Sequence, residues 1–282
     1  MSAKVAALLN VDDIQDEANR KLDRIISNTS VQILGRKIAF PLCVSPAGLQ
    51  AMAHPDERII KRAEAAGCVA IFLTADSPVL GVWNNEWRDD FRTPAGLAWP
   101  MLGKTTEMIQ SHSHDEGFAD FNSDAHSWEY DIPWLRSKTK MQIWIKGVLT
   151  AEDVLLARQY GCDGVIISNH GGRQLDGTPA TLDALPECVK AADGKIPVHI
   201  DGGFRCGADI FKAIALGAEC CWIGRPVIWG LAVDGEKGVT KTLDILYDDF
   251  MRCMKLAGCK NVSEITKASL GVARWDGPLA RL

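Results

Sequence analysis

The string Ser168-Asn169-His170-Gly171-Gly172-Arg173-Gln174-Leu175-Asp176 sets an imidazole three residues ahead of a guanidinium, with two glycines between them. Histidine titrates near neutrality and can take a proton from a substrate. Arginine grips a carboxylate through two parallel hydrogen bonds. Side by side, the pair suits proton abstraction next to a carboxylate. A second string, Asp201-Gly202-Gly203-Phe204-Arg205-Cys206-Gly207, follows an apolar run and opens an amphipathic one. Glycines in such a turn let backbone N–H groups close on an anion, and the following helix N-terminus adds partial positive charge. Ile223-Gly224-Arg225-Pro226 ends the next apolar run and supplies another glycine and a cation. Two successive turns of this kind match a phosphate site. The motif leaves open whether the phosphate belongs to a flavin, a nucleotide or a sugar.

These residues need a frame that brings strand ends together. From Met141 onward, short apolar runs alternate with amphipathic ones: Gln142–Lys146 and Ala151–Tyr160, Gly164–Ser168 and Thr181–Ala192, Pro197–Asp201 and Gly207–Leu216, Cys220–Ile223 and Val239–Leu256. Repetition at roughly 25–35 residues is the signature of βα units feeding a parallel sheet. Upstream, Ile38–Val44 and Val69–Thr74 read as strands and Asp56–Ala66 as a helix. The pattern predicts a TIM-type (β/α) barrel with six strands in place of eight, hence incomplete or distorted, as a single domain over residues 1–282. An irregular excursion at about 82–139 reads as a lid-like insert or a disordered one, and its tryptophans favour an ordered lid. Polar residues gather where the strands end (Ser45, Thr74 and Asp76, Lys146, Ser168 to His170, Asp201, Gly224-Arg225), and that rim is where parallel barrels hold their chemistry.

Composition narrows the field. Hydrophobic residues make up 47% and charged residues 24%, a balance that argues against disorder. The net charge of −5, without a basic block, argues against a nucleic-acid partner. No apolar run suits a signal peptide or a membrane span. Nine scattered cysteines without a CxxC pair read as reduced thiols of an intracellular protein, peroxisomal by the sequence Ala280-Arg281-Leu282 or otherwise cytoplasmic. His112-Ser113-His114 with Asp115 reads as a solvated loop, so no metal site is expected, and His126 and His199 read as structural.

Ser168–Asp176 with Thr178-Pro179-Ala180, Asp201–Arg205 and Gly224-Arg225-Pro226 resemble the FMN-dependent 2-hydroxy acid oxidase/dehydrogenase family, the glycolate and lactate oxidase type. The similarity extends to Phe40-Pro41, Ser45-Pro46-Ala47-Gly48, Ala53–Asp56, Leu73–Pro78 and Trp144–Gly147. It implies FMN as cofactor and a small L-2-hydroxy acid as substrate, oxidised to the 2-keto acid with oxygen or another acceptor taking the electrons. His170 would be the base, Asp76 its orienting partner and Arg173 the carboxylate ligand. Lys146 would face the flavin N1/O2 edge, where a cation favours the reduced anion. Thr74, Ser168 and the backbone of Pro46-Ala47 would hold the ring; Asp201, Gly202, Gly203, Arg205, Gly224 and Arg225 would hold the ribityl chain and phosphate. Relatives assemble as homo-oligomers.

The chain also departs from that pattern. About two βα units, or roughly 50–60 residues, are missing after the first strand. Met1–Asn28 carries no tyrosine where relatives deliver one to the substrate. Val82-Trp83 stand where many relatives have arginines after Asp-x-Pro-x-Leu-Gly. The expectation is an open barrel whose phosphate half is intact and whose flavin-ring half is weakened. Two other readings accompany the enzyme: a catalytically impaired flavin or phosphate binder of the same family, and a non-flavin phosphate-binding barrel. The last explains Asp201–Arg205 but not His170 beside Arg173.

Overall fold

A computed structural model describes residues 28–45, 57–89, 126–274 and 277–281. These fall into two compact units. The larger unit, residues 43–203 and 217–225, carries a six-stranded sheet with strand order β3-β8-β7-β6-β5-β4. Its strands are β3 (Leu42–Val44, whose first residue falls in the other unit), β4 (Ala70–Thr74), β5 (Gln142–Val148), β6 (Gly164–Ile167), β7 (Val198–Asp201) and β8 (Cys220–Ile223). Neighbours from β4 to β8 pair in parallel. Around them in the same unit lie α1 (Glu57–Ala65), the short α2 (Asn84–Arg88), α3 (Trp128–Lys138), α4 (Ala151–Gln159) and α5 (Thr181–Ala192). The sheet is a curled half-barrel, and among the described residues β3 and β4 are its edges.

The interiors of β5 to β8 are covered on both faces, which is why they read as unbroken apolar runs. Ile143, Val165, Ile166, Ile167 and Ile200 are fully buried. Side chains alternate along a strand, so Trp144 and Lys146 share one face of β5. On that concave face Phe72, Trp144, His199 and Trp222 form a closed cycle. Centroid separations are 5.7 Å for Phe72–Trp144, 4.4 Å for Trp144–His199, 5.9 Å for His199–Trp222 and 5.1 Å for Trp222–Phe72. A contact between β4 and β8, four strands apart in the sheet, requires the curl. The indole of Trp144 fits because Gly164 lies beneath it, where a Cβ would sit 2.3 Å from the ring. Each aromatic pair contributes about 0.5–1.5 kcal/mol beyond its buried area. Large rings thus fill an interior that six strands leave unenclosed.

His199 is structural, as the sequence suggested. Trp222 Nε1 donates to its Nδ1 at 3.1 Å, and burial pushes its pKa down to about 3, so the ring is neutral. The nine cysteines are free, and burial raises the thiols of Cys162 and Cys188 to about 12.

The smaller unit's described residues are 28–42, 204–216, 226–274 and 277–281. It holds the hairpin β1 (Val31–Ile33) and β2 (Arg36–Ile38), helix α6 (Gly207–Ala215), most of α7 (Arg225–Ala257) and the hairpin β9 (Gly271–Arg274) and β10 (Gly277–Arg281). Helix α7 is kinked at Asp234-Gly235, and its two halves cross where Gly230 meets Gly238. Phe40 packs edge-on against Tyr247 at 5.2 Å.

Two expectations need correction. Ile38–Val44 is not one strand: Ile38 closes the β1–β2 hairpin, and Pro41, which has no N–H to donate, precedes the parallel strand at Leu42. The reading of 82–139 as irregular also fails at its C-terminal end. There Ser127 Oγ caps α3 by accepting from Tyr130 N, and Ile132 and Leu135 are buried three residues apart. Pro133 inside the helix obscured that pattern. Residues 90–125, with His112–Asp115, lie outside the described residues, as do Pro46, Ala47 and Leu282.

Candidate active site

The C-terminal rim of the half-barrel sets Asp76 against His170 and Lys146 against Asp201, four of the side chains that the sequence singled out. Thr74 ends β4 in register with Lys146 on β5. Two residues on, Asp76 packs against β5 at Gly147, whose φ is +106° and whose Cβ, if present, would sit 2.6 Å from that of Asp76. Only glycine permits this approach. Asp76 Oδ1 then lies 3.0 Å from Nδ1 of His170, 94 residues later in the chain. Ser77 Oγ sits 3.0 Å from the same nitrogen. A carboxylate only accepts, so Nδ1 carries the proton and Nε2 is left with its lone pair. That tautomer is a base.

Local structure holds the imidazole in place. His170 has φ +57°, a left-handed conformation that disfavours side chains. It opens a 3-10 turn, His170–Gly172, in which Asn169 Oδ1 accepts from Gly172 N at 3.2 Å. The His170 N–H donates to Ser168 Oγ at 3.1 Å. Gln174 ties this loop to the one after β4, its Nε2 donating to Asp76 O at 3.0 Å and Val79 O at 2.8 Å. The Arg173 guanidinium lies 3.9 Å over the Trp83 ring. Sequence reasoning passed over Ser77, Gln174 and Trp83 as site residues. The first two lie inside the motifs already noted, so a search for polar neighbours there would have found them.

Deeper in the concave face, Lys146 Nζ is 3.6 Å from Asp201 Oδ2, with both side chains less than a tenth exposed. Burial pushes the Asp201 carboxyl above its usual range, while Lys146 and a hydrogen bond from Ser168 pull it back. Asp201 Oδ1 and Asp76 Oδ2 are buried and have no hydrogen-bond donor among the described residues. An unmet buried acceptor costs about 1–3 kcal/mol, more when charged, which a ligand's N–H or O–H would relieve. Beyond Asp201, Gly202 and Gly203 adopt φ of +91° and +85°. A Cβ on Gly203 or Gly224 would meet nothing within 4 Å, so both turns leave backbone accessible. Arg225 Nη2 donates to Gly171 O at 2.8 Å and so braces the His170 loop, a role its sequence position did not suggest. Arg205 belongs to the smaller unit, where its guanidinium lies 4.9 Å over Trp229 and donates to Phe204 O. The orphaned carboxylate oxygens, the buried cation and the open glycine turns fit a polyhydroxylated, phosphate-bearing cofactor.

The curled parallel sheet with its polar rim gives the chain the architecture of a β/α barrel. Comparison with known proteins narrows the class. Residues 56–272 match the FMN-dependent dehydrogenase family. An oxidase, FUB9, of Fusarium oxysporum f. sp. lycopersici is 47% identical over 222 residues, 78% of this chain but only 57% of that protein. Spinach (Spinacia oleracea) glycolate oxidase is 37% identical, over 88% of this chain and 82% of its own length. The crystal structure of mandelate oxidase with (S)-4-hydroxymandelic acid superposes with a TM-score of 0.76 at 30% identity, covering 84% of this chain and 81% of that one. The chain belongs to the FMN-dependent dehydrogenase family, oxidoreductases whose cofactor is FMN. It spans little more than half the length of the FUB9 oxidase it matches. Among the described residues, no helix is long and apolar enough to cross a membrane.

Proposed function

We propose that this chain binds FMN and oxidises a small L-2-hydroxy acid to the 2-keto acid, with oxygen as electron acceptor. The observation that carries the reading is the contact of His170 Nδ1 with Asp76 Oδ1 at 3.0 Å, on the same loop as Arg173. His170 Nε2 removes a proton as the substrate is oxidised. The imidazolium so formed keeps Nδ1–H on the Asp76 carboxylate, which offsets its positive charge. Arg173 holds the substrate carboxylate and fixes which end of the acid faces His170. Bound FMN supplies the two-electron acceptor. Lys146 would give the cation that favours the reduced form of the cofactor, Thr74 and Ser168 would hold its ring, and Asp201, Gly202, Gly203, Gly224 and Arg225 would hold the ribityl chain and phosphate. Arg205 and the Pro46-Ala47 backbone keep their cofactor roles on the resemblance alone. Assembly into a homo-oligomer is part of the same reading.

One observation favours a second reading, an impaired flavin or phosphate binder: among the described residues the sheet ends on β3 and β4, where the resemblance calls for two further strands. A single experiment separates the two. Purified protein is assayed for flavin with and without added FMN, then exposed anaerobically to glycolate and lactate. Stoichiometric FMN that bleaches, with bleaching lost in His170→Ala while FMN stays bound, supports the enzyme. FMN that stays bound but does not bleach, or colourless protein that takes up no FMN, supports the impaired form. Unchanged bleaching in His170→Ala removes the assignment of the base.

A further inference from the structure

Trp83 stands where the resemblance leads one to expect a cation, and it engages Arg173 twice. Its indole Nε1 donates to Arg173 O at 2.6 Å, while the guanidinium carbon lies 3.9 Å from the ring centroid. The backbone beside it is equally close, for a Cβ on Gly81 would sit 2.2 Å from Arg173 O. Gly81 N donates to Gln174 Oε1 at 3.0 Å. The loop after β4 and the loop after β6 are therefore fastened at two ends, by Asp76 on His170 and by Trp83 on Arg173.

This arrangement has a chemical consequence. A ring under a guanidinium interacts with its π face and consumes none of its in-plane N–H groups, the groups that meet a carboxylate. Arg173 is an exposed, long side chain, and holding it before substrate arrives removes part of the ordering cost of binding. We propose that Trp83 is a positioning residue that presents the Arg173 guanidinium to the substrate carboxylate. The proposal rests on the assignment of Arg173 given above.

The test uses FMN-loaded protein reduced anaerobically by lactate in a stopped-flow instrument, which separates the half-saturating concentration from the limiting rate. Calorimetric titration with pyruvate gives a carboxylate affinity that does not depend on turnover. Trp83→Leu keeps apolar bulk and removes the π face and the N–H. It is expected to raise both the half-saturating lactate concentration and the pyruvate Kd about tenfold, with the limiting rate within about twofold. Trp83→Phe, which restores a π face, should recover most of that loss. In an Arg173→Lys background, Trp83→Leu should add less than about twofold, because the partner through which it acts is already altered. Unchanged binding in Trp83→Leu, a loss confined to the limiting rate, or full additivity with Arg173→Lys each overturns the proposal. A wild type that neither bleaches with lactate nor binds pyruvate removes the assignment of Arg173 and this proposal with it. A wild type that does both, with variants that bind as well as it does, removes only the role of Trp83.

Discussion

Replacing Asp76 with asparagine changes the charge behind His170 while keeping the shape. The amide oxygen can still accept from Nδ1–H, so ring orientation and tautomer survive and the variant isolates the electrostatic effect. Proton transfer creates an imidazolium about 3.0 Å from the Asp76 carboxylate. Attraction between unit charges at that distance is about 5 kcal/mol at an effective dielectric of 20 and about 1.4 kcal/mol in bulk water. The His170 side chain is 36% exposed and that of Asp76 13%, so solvent screens the pair and the effect falls between the limits. An intermediate value of about 2–3 kcal/mol corresponds to a roughly 30- to 160-fold slower reduction of bound FMN. The assay is anaerobic stopped-flow reduction by a 2-hydroxy acid. A variant that retains FMN and reduces it within about threefold of the wild-type rate would refute the assignment of Asp76 as the stabilising partner.

Other perturbations test the frame. Buried His199 has a folded pKa of about 3, below the ordinary 6.5, so the unfolded chain binds more protons between those values and stability falls as pH drops from 6.5 toward 3. Urea melts of His199→Phe should flatten that acid dependence, while costing about 1–3 kcal/mol at neutral pH because the Trp222 N–H loses its acceptor; a wild-type acid slope would show that another group governs it. Gly207→Ala would drive a Cβ to 1.9 Å from Phe250 N, where backbone meets backbone, and should destabilise by about 3 kcal/mol in chemical denaturation. Gly224→Ala meets open space, so folding stability should change by no more than about 0.5 kcal/mol. Fluorescence titration of that variant should nonetheless weaken FMN binding about tenfold or more if backbone approach at this turn holds the phosphate; unchanged affinity would place the phosphate elsewhere.

The βα order was legible from residue 141 onward because periodicity is a local property. A strand covered on both faces reads as a continuous apolar run, and a one-sided helix reads as an amphipathic one. Gln142–Val148, Gly164–Ile167, Val198–Asp201 and Cys220–Ile223 were therefore found within a residue or two. Short elements governed by turn geometry were missed. The β1–β2 hairpin turns on Leu34 and Gly35, with φ of +52° and +74°, and three-residue strands carry too little pattern to announce themselves. Helix α3 was hidden by Pro133.

Residue types and spacing by themselves determined which groups could do chemistry: an imidazole and a guanidinium three apart, and glycine turns at two successive strand ends. Only the tertiary structure decided what those groups touch. Asp76 meets His170 across 94 residues, Arg225 turns back to the Gly171 carbonyl across 54, and Trp83 reaches Arg173 across 90. Such distances follow from strand register and sheet curvature, which depend on how every strand packs with its neighbours at once. The aromatic cycle on the concave face has the same origin. Phe72, Trp144, His199 and Trp222 are ordinary core residues in the sequence, and only the curl of the sheet turns them into the filling of a half-barrel.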